Sequence, residues 1–196
     1  SLKVKHGRSD FRLEGSIRNV VLALFRSEKK NKVNFDLSMQ SEFVDLVELN
    51  EFIIDHRSAS TAQKVSNDAK PVYHNLLGFR GKIRTEIEAL EHDKIKGRNF
   101  SGSLFFNMDN VDIESSLSTS DGILNIDGIL DYKNRPEFSG HAEMVDINIR
   151  SLFYQWDGFR QNVLGSEHLQ GNMDAVTEIS LEWDENAQLL TEKIDA

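Results

Sequence analysis

The 196-residue chain contains no cysteine. It therefore has neither a disulfide framework nor a thiolate metal site, and its redox compartment stays open on that ground. No apolar run approaches the roughly 20 residues that a helix needs to cross a bilayer. Positive charge is scarce as well: 23 Lys and Arg stand against 32 Asp and Glu, a formal net charge of -9. Nucleic-acid binding draws on clustered cations that neutralise phosphates, so a DNA or RNA partner is disfavoured, and the short basic run Lys29, Lys30 and Lys32 reads as a solvated turn. Catalytic signatures are also missing. The histidines at 6, 56, 74, 92, 141 and 168 show no HExxH spacing, no serine stands in a G-x-S-x-G elbow, and no glycine loop is built to cradle phosphate. Glu91-His92-Asp93 could set an imidazole between carboxylates for acid-base work or metal binding, but a solvated strand end accounts for it more simply. Asp109, Asp112, Asp121 and Asp127 invite a calcium reading, yet they lack the order of an EF-hand loop and fall where turns need Asp. The expectation is a protein without enzymatic activity, metal or cofactor.

What the chain does have is a hydrophobic fraction of 39% written largely in period two. In residues 32–43 the positions Val33, Phe35, Leu37, Met39 and Phe43 are apolar while Lys32, Asn34, Asp36, Ser38 and Gln40 are polar, the pattern of a strand with one wet face. Phe100, Leu104, Phe106 and Met108 share one parity, and Val111 and Ile113 take the other. That parity change across Asp109-Asn110 predicts a two-residue hairpin turn. Further turns at Ser120-Asp121-Gly122 and at Asn134-Arg135-Pro136 frame Leu124, Ile126, Leu130 and Tyr132, so residues 100 to about 147 read as an antiparallel meander. For residues 74–91 helical and strand spacings compete, and periodicity alone does not decide between them.

Phe-Ser-Gly occurs twice, at 100–102 and 138–140. Each copy precedes a polar-apolar alternation, and the glycines predict places where the sheet bends or a neighbour comes close. Three joints from strand to helix are also legible. Asn19 stands before Val20–Phe25, Asp45 is followed three residues later by Glu48 as in a capping box, and Asn148 precedes Ile149, Leu152, Phe153, Trp156 and Phe159 at helical spacings. The expected organisation is a strand-helix-strand-helix part over 1–54, a linker or long loop over 55–72, and an antiparallel meander over 73–196 with a helix at about 149–164. All of it belongs to one domain. The start at Ser1 and the unmarked end at Lys193-Ile194-Asp195-Ala196 lead us to expect a segment of a longer chain.

Two stretches, DGILNIDGILDYKNRPEFSGHAEMVDINIRSLFYQWDGF and LQGNMDAVTEISLEW, resemble the C-terminal region of AsmA-like proteins, in particular the form found in Bacteroidota. FRLEGSIRNVVLALF and KVNFDLSMQSEFVDLVELNEFI are similar to the upstream part of the same region. The resemblance implies a mainly β fold: an antiparallel meander sheet, curved or groove-like, with a few short amphipathic helices at strand ends. It favours strand for residues 82–91. It also implies a periplasmic protein tethered to the inner membrane through an N-terminal anchor that this chain lacks. Such proteins take part in outer-membrane biogenesis and are thought to carry phospholipid along a β-sheet groove. The implied partners are lipid acyl chains, the remainder of the parent chain and outer-membrane assembly proteins.

A sheet with one apolar and one wet face could shelter acyl chains, each shielded methylene contributing about 0.8 kcal/mol. The candidate lipid-facing residues are Val33, Phe35, Leu37, Met39, Leu104, Phe106, Met108, Leu124, Ile126 and Leu130. Ordinary core packing beneath the helices is the simpler account of any one of them alone. The alternative function is a structural or protein-binding β module of the envelope that carries no lipid.

Overall fold

The computed structural model describes residues 1–19, 33–49, 79–133, 135–157, 165–184 and 190. The expected helix after Asn19, the run Lys29–Lys32, the linker 55–72, residues 74–78 and the stretch 158–164 of the expected long helix lie outside the described residues. Among the described residues nine strands form one sheet: β1 (Leu2–His6), β2 (Ser9–Arg18), β3 (Val33–Asp45), β4 (Phe79–His92), β5 (Ile95–Asn107), β6 (Asn110–Thr119), β7 (Gly122–Asp131), β8 (Glu137–Asn148) and β9 (Asn172–Glu182). Their order in the sheet is their order in the chain, and the sheet does not close into a barrel.

Turn chemistry sets most of this topology. Ser120 and Asp121 both take positive φ, the conformation that two-residue hairpins require, and Thr119 pairs with Gly122 across them. The β5–β6 turn is also a two-residue turn, but it consists of Met108 and Asp109, with Asn107 opposite Asn110, one residue earlier than the sequence suggests. Met108 takes the positive φ of 63° there and donates its N–H to Phe79 O. Residues 79–91 are strand, in agreement with the reading that the resemblance favoured.

One step departs from an antiparallel meander. β3 and β4 are parallel, with Val33 opposite Phe79 and Asp45 opposite Glu91. Parallel neighbours need a crossover of about a dozen residues or more, and residues 46–78 supply it. The sequence marks a helix start and a linker between these strands, but a connection of that length can join parallel or antiparallel neighbours, so local pattern does not fix the direction of this step.

Both helical joints among the described residues start on the expected cap. Asp45 Oδ1 accepts the N–H groups of Val47 and Glu48 at 3.0 and 3.2 Å at the start of the helical turn 46–49. The reciprocal half of the capping box does not form. Glu48 accepts the Arg8 N–H instead, and the Asp45 N–H goes to Ser9 Oγ at 2.9 Å. Asn148 caps α1 (Ile149–Gln155), with Oδ1 accepting the Ser151 N–H at 3.0 Å. Asn19, by contrast, has φ 66° rather than the extended backbone of an N-cap.

An irregularity crosses the sheet near the end that carries these helices. Register pairs are missing at Glu42 and Glu88, and β5 shifts against β6 between Arg98 and Ser101. Beyond it the buried parity changes. Val44 and Leu90 are buried with Ile87, whereas Phe43, assigned by its sequence to the stripe of Val33–Met39, lies half-buried beneath the Arg8 guanidinium, 4.6 Å from the ring centroid. Asp10 holds the kink in place: its Oδ1 accepts from Glu42 N, Phe43 N and Ser41 Oγ at 3.1 to 3.3 Å, taking up amides that no strand partner satisfies. Arg8 bridges Asp45 and Glu91 at 3.2 and 3.0 Å, tying the β1–β2 turn to the ends of β3 and β4.

Candidate functional site

Side chains opposite one another in register project to the same side of a sheet, so the pairings sort every strand into two faces. One face is wet. Arg84 reaches Asp36 at 2.6 Å, Gln40 reaches Glu86, Asn125 reaches Glu143, and Lys82 lies 4.1 Å over the Phe105 ring. These pairs are exposed and stabilise the sheet little.

The other face is apolar from β1 to β9. Nine of the ten candidate residues share it: Val33, Phe35, Leu37 and Met39 from β3, Leu104 and Phe106 from β5, and Leu124, Ile126 and Leu130 from β7. All nine are half-buried. Met108 is the exception, because the turn takes it out of the strand. The face also recruits residues that the candidate set omits, among them Ile83, Ile113, Phe138, Ala142, Ile179 and Leu181. Their own alternation carried the signal. What it could not show was which strands would be neighbours.

Register turns this face into rows running across the strands. One outer row reads Ile17, Phe35, Gly81, Phe106, Val111, Leu130, Phe138, Leu181. Here the Phe35 and Phe106 rings meet edge to face at 5.2 Å, and Tyr132 is fully buried with Val111 beside Phe106 and Leu130. The other outer region, on the helix side, is the cluster of Val44, Ile87 and Leu90 with Phe11, Phe100 and Leu117. Between them the side chains shrink. The next row inward contains Gly15, Gly128 and Gly140 among Leu and Ile residues, and its neighbour contains Thr85, Gly102, Ser115, Ala142 and Thr177. The result is a floor of smaller residues between two bulky rims, continuous from β4 to β9 through Thr85, Gly102, Ser115, Gly128, Ala142 and Thr177 and interrupted at β3 by Leu37 and Met39; its five interstrand steps of about 4.8 Å span roughly 24 Å.

Both Phe-Ser-Gly phrases belong to this construction. In each, the Phe ring lies over the Gly two residues on, which shares its face: Phe100 Cζ would stand 3.0 Å from a Cβ at Gly102, and Phe138 Cζ 2.9 Å from one at Gly140. Phe138 also covers Gly128, the register partner of Gly140. The first phrase lies within β5 and the second at the start of β8, so what the two copies share is the covered glycine, in keeping with the close approach that the glycines predict. The two glycines differ in what surrounds them. A Cβ at Gly140 would collide with the Asp127 carbonyl oxygen and stand 2.7 Å from Gly128 Cα, whereas at Gly102 the nearest atoms belong to a movable ring. Gly140→Ala is expected to cost about 1.5 kcal/mol in urea denaturation, while Gly102→Ala stays within about 0.5 kcal/mol of the parent. Equal effects at the two sites would contradict this picture.

Two hollows open at the helix-side end. One of about 590 Å³ lies among Val4, Phe11, Ile87 and Phe100, with Lys3 and Glu88 also on its walls. The second, about 760 Å³, lies among Leu90, Gly97, Ser118, Ser120 and Gln155. Lys94 in the β4–β5 turn donates to Asp157 just past α1, and that carboxylate holds the ammonium pKa above its ordinary value. His92 stands at the same hairpin tip, half-exposed, with Nδ1 3.7 Å from Asp93. Among the described residues, no three His, Asp or Glu side chains are placed to hold a metal ion, and no helix is long and apolar enough to cross a membrane. Asp109 and Asp121 sit in turns, Asp112 and Asp127 on strands, and Asp127 meets His141 at 3.1 Å.

Comparisons with family models, with curated proteins and with solved structures find no match for the chain.

Proposed function

We propose that the chain is a non-enzymatic, AsmA-like segment of a periplasmic protein anchored in the inner membrane, which serves outer-membrane biogenesis by sheltering phospholipid acyl chains along the apolar face of its sheet. The observation that carries this reading is the transverse floor of small residues between Phe- and Leu-rich rims. A site for a compact ligand would converge on a few polar groups, whereas this face is mainly apolar and its hydroxyls, Thr85, Ser115 and Thr177, are spread over separate strands rather than gathered at one point. Such a surface favours a long flexible hydrocarbon, which gains about 0.8 kcal/mol for each methylene removed from water wherever along the floor it lies. The AsmA-like assignment, the location and the anchor rest on the resemblance of the sequence.

Lipid extraction and native mass spectrometry of protein purified from cells test the proposal. Phospholipid should co-purify. Thr85→Phe combined with Ser115→Phe, which raises the floor at two places, should cut the bound lipid several-fold while leaving the circular dichroism of the sheet intact. Repeated absence of lipid, with a longer parent protein equally empty, overturns the reading and leaves a structural or protein-binding β module of the envelope, for which the two sheet edges are the natural contact surfaces.

A further inference from the structure

The two outermost strands carry opposite charge on the same face. Among the described residues, β1 pairs only with β2, and β9 pairs with β8. The wet face of β1 presents Lys3 and Lys5, while that of β9 presents Asp174, Glu178 and Glu182 around Val176, which is 68% exposed. At the far end of β9 the Leu190 N–H donates to Glu182 O, which leaves Asn172–Glu178 as the edge that a partner strand would meet among the described residues.

Strand direction adds an independent constraint. Seven of the eight strand pairings are antiparallel and one, β3 with β4, is parallel. Seven reversals leave β1 and β9 running in opposite directions; a wholly antiparallel nine-stranded sheet would have left them parallel. A second molecule continuing the same sheet would therefore lay its β1 antiparallel against β9 of the first. In that arrangement the apolar faces join on one side, and Lys3 and Lys5 fall among Asp174, Val176 and Glu178 on the other. Pairing between like edges fails on the same charges, since it sets lysines against lysines or carboxylates against carboxylates.

We infer that copies of this chain associate head to tail, β1 of one adding to the Asn172–Glu178 edge of the next. The contact is heterologous and does not close on itself, so assembly is open-ended rather than dimeric. This inference does not depend on a lipid cargo.

Sedimentation velocity of the full chain over a concentration series, at about 0.05 M and 0.5 M salt, tests it. The expected result is a weight-average mass that climbs past the dimer as concentration rises and falls back in high salt. Lys3→Glu with Lys5→Glu, and separately Asp174→Lys with Glu178→Lys, should each weaken association by about tenfold. Mixing the two variants should restore it, because every unlike edge is then again complementary. Glu178→Lys alone serves as a milder probe should the double variant fold poorly. A monomer throughout, an association that stops at the dimer, or one indifferent to both charge reversals would each overturn the inference; the last would assign the contact to the apolar face.

Discussion

Replacing Tyr132 by alanine is expected to lower the unfolding free energy by about 3 to 5 kcal/mol, the range for removing a large aromatic side chain from a packed interior. Tyr132 has no exposed surface, and it packs at one end of the apolar face against Val111, Leu104, Phe106, Ile113 and Leu130. The residue follows β7, where the chain leaves the sheet, and its N–H donates to Asp109 O across the β5–β6 turn. Its removal therefore empties a space that two hairpin ends share and that neither can fill by a small shift. Urea denaturation measures the loss, and a change below about 1 kcal/mol would show that the hairpin ends can collapse into that space.

The same side chain gives a pH dependence. Burial raises the phenol pKa above 10.0, with Asp109 and then Asp131 adding to the effect by resisting a second negative charge. A raised folded-state pKa means that the folded protein keeps a proton which the unfolded chain releases. The contribution to stability is complete below pH 10 and is lost as pH rises through the folded-state value. Tyr132→Phe, which retains the ring and forgoes only a 3.5 Å bond to Asn110 O, should flatten the alkaline limb of the stability profile at little cost near neutral pH. An unchanged alkaline limb would place the responsible group elsewhere.

Asp10→Ala is expected to cost about 2 to 3 kcal/mol. The carboxylate stands where β2 parts from β3, beyond the last register pair Arg12–Gln40, and it is the acceptor for two amides and one hydroxyl at the kink. Alanine leaves those donors to compete for water at a half-buried site, and the change in buried parity between Ser41 and Val44 loses its support. Asp10→Asn keeps an acceptor oxygen in the same place and should recover more than half of the loss. Hydrogen exchange at Glu42 and Phe43 gives a local readout: both amides should exchange faster in Asp10→Ala, and unaltered protection would mean that they are held by something other than Asp10.

The candidate residues show which parts of this design were legible early. Val33, Phe35, Leu37 and Met39 announced their common face by alternation alone, and so did Leu104 with Phe106 and Leu124 with Ile126. Met108 had the right parity and the wrong place: alternation counts residues without knowing which of them the turn consumes, and Met108 accepts a left-handed backbone that Asn110 was expected to take. Phe43 failed for a related reason, since a kink stabilised by Asp10, more than thirty residues earlier in the chain, reverses parity without leaving any mark in the local pattern.

The sequence by itself determined the strands β2, β3 and β5 to β9, the turns on either side of β7, the Asp45 and Asn148 helix caps and the sidedness of the apolar face, because each of these rests on side chains within a few positions of one another; β1 carries too short an alternation to read, and the spacing of β4 fits helix and strand alike. The tertiary structure alone decided the parallel step between β3 and β4, the floor of small residues between its rims and the opposed charges of the two edges. Those depend on which strands become neighbours and in what register, and pairing of that kind is settled by contacts between residues tens of positions apart, for which a period-two pattern is the same whichever partner lies alongside.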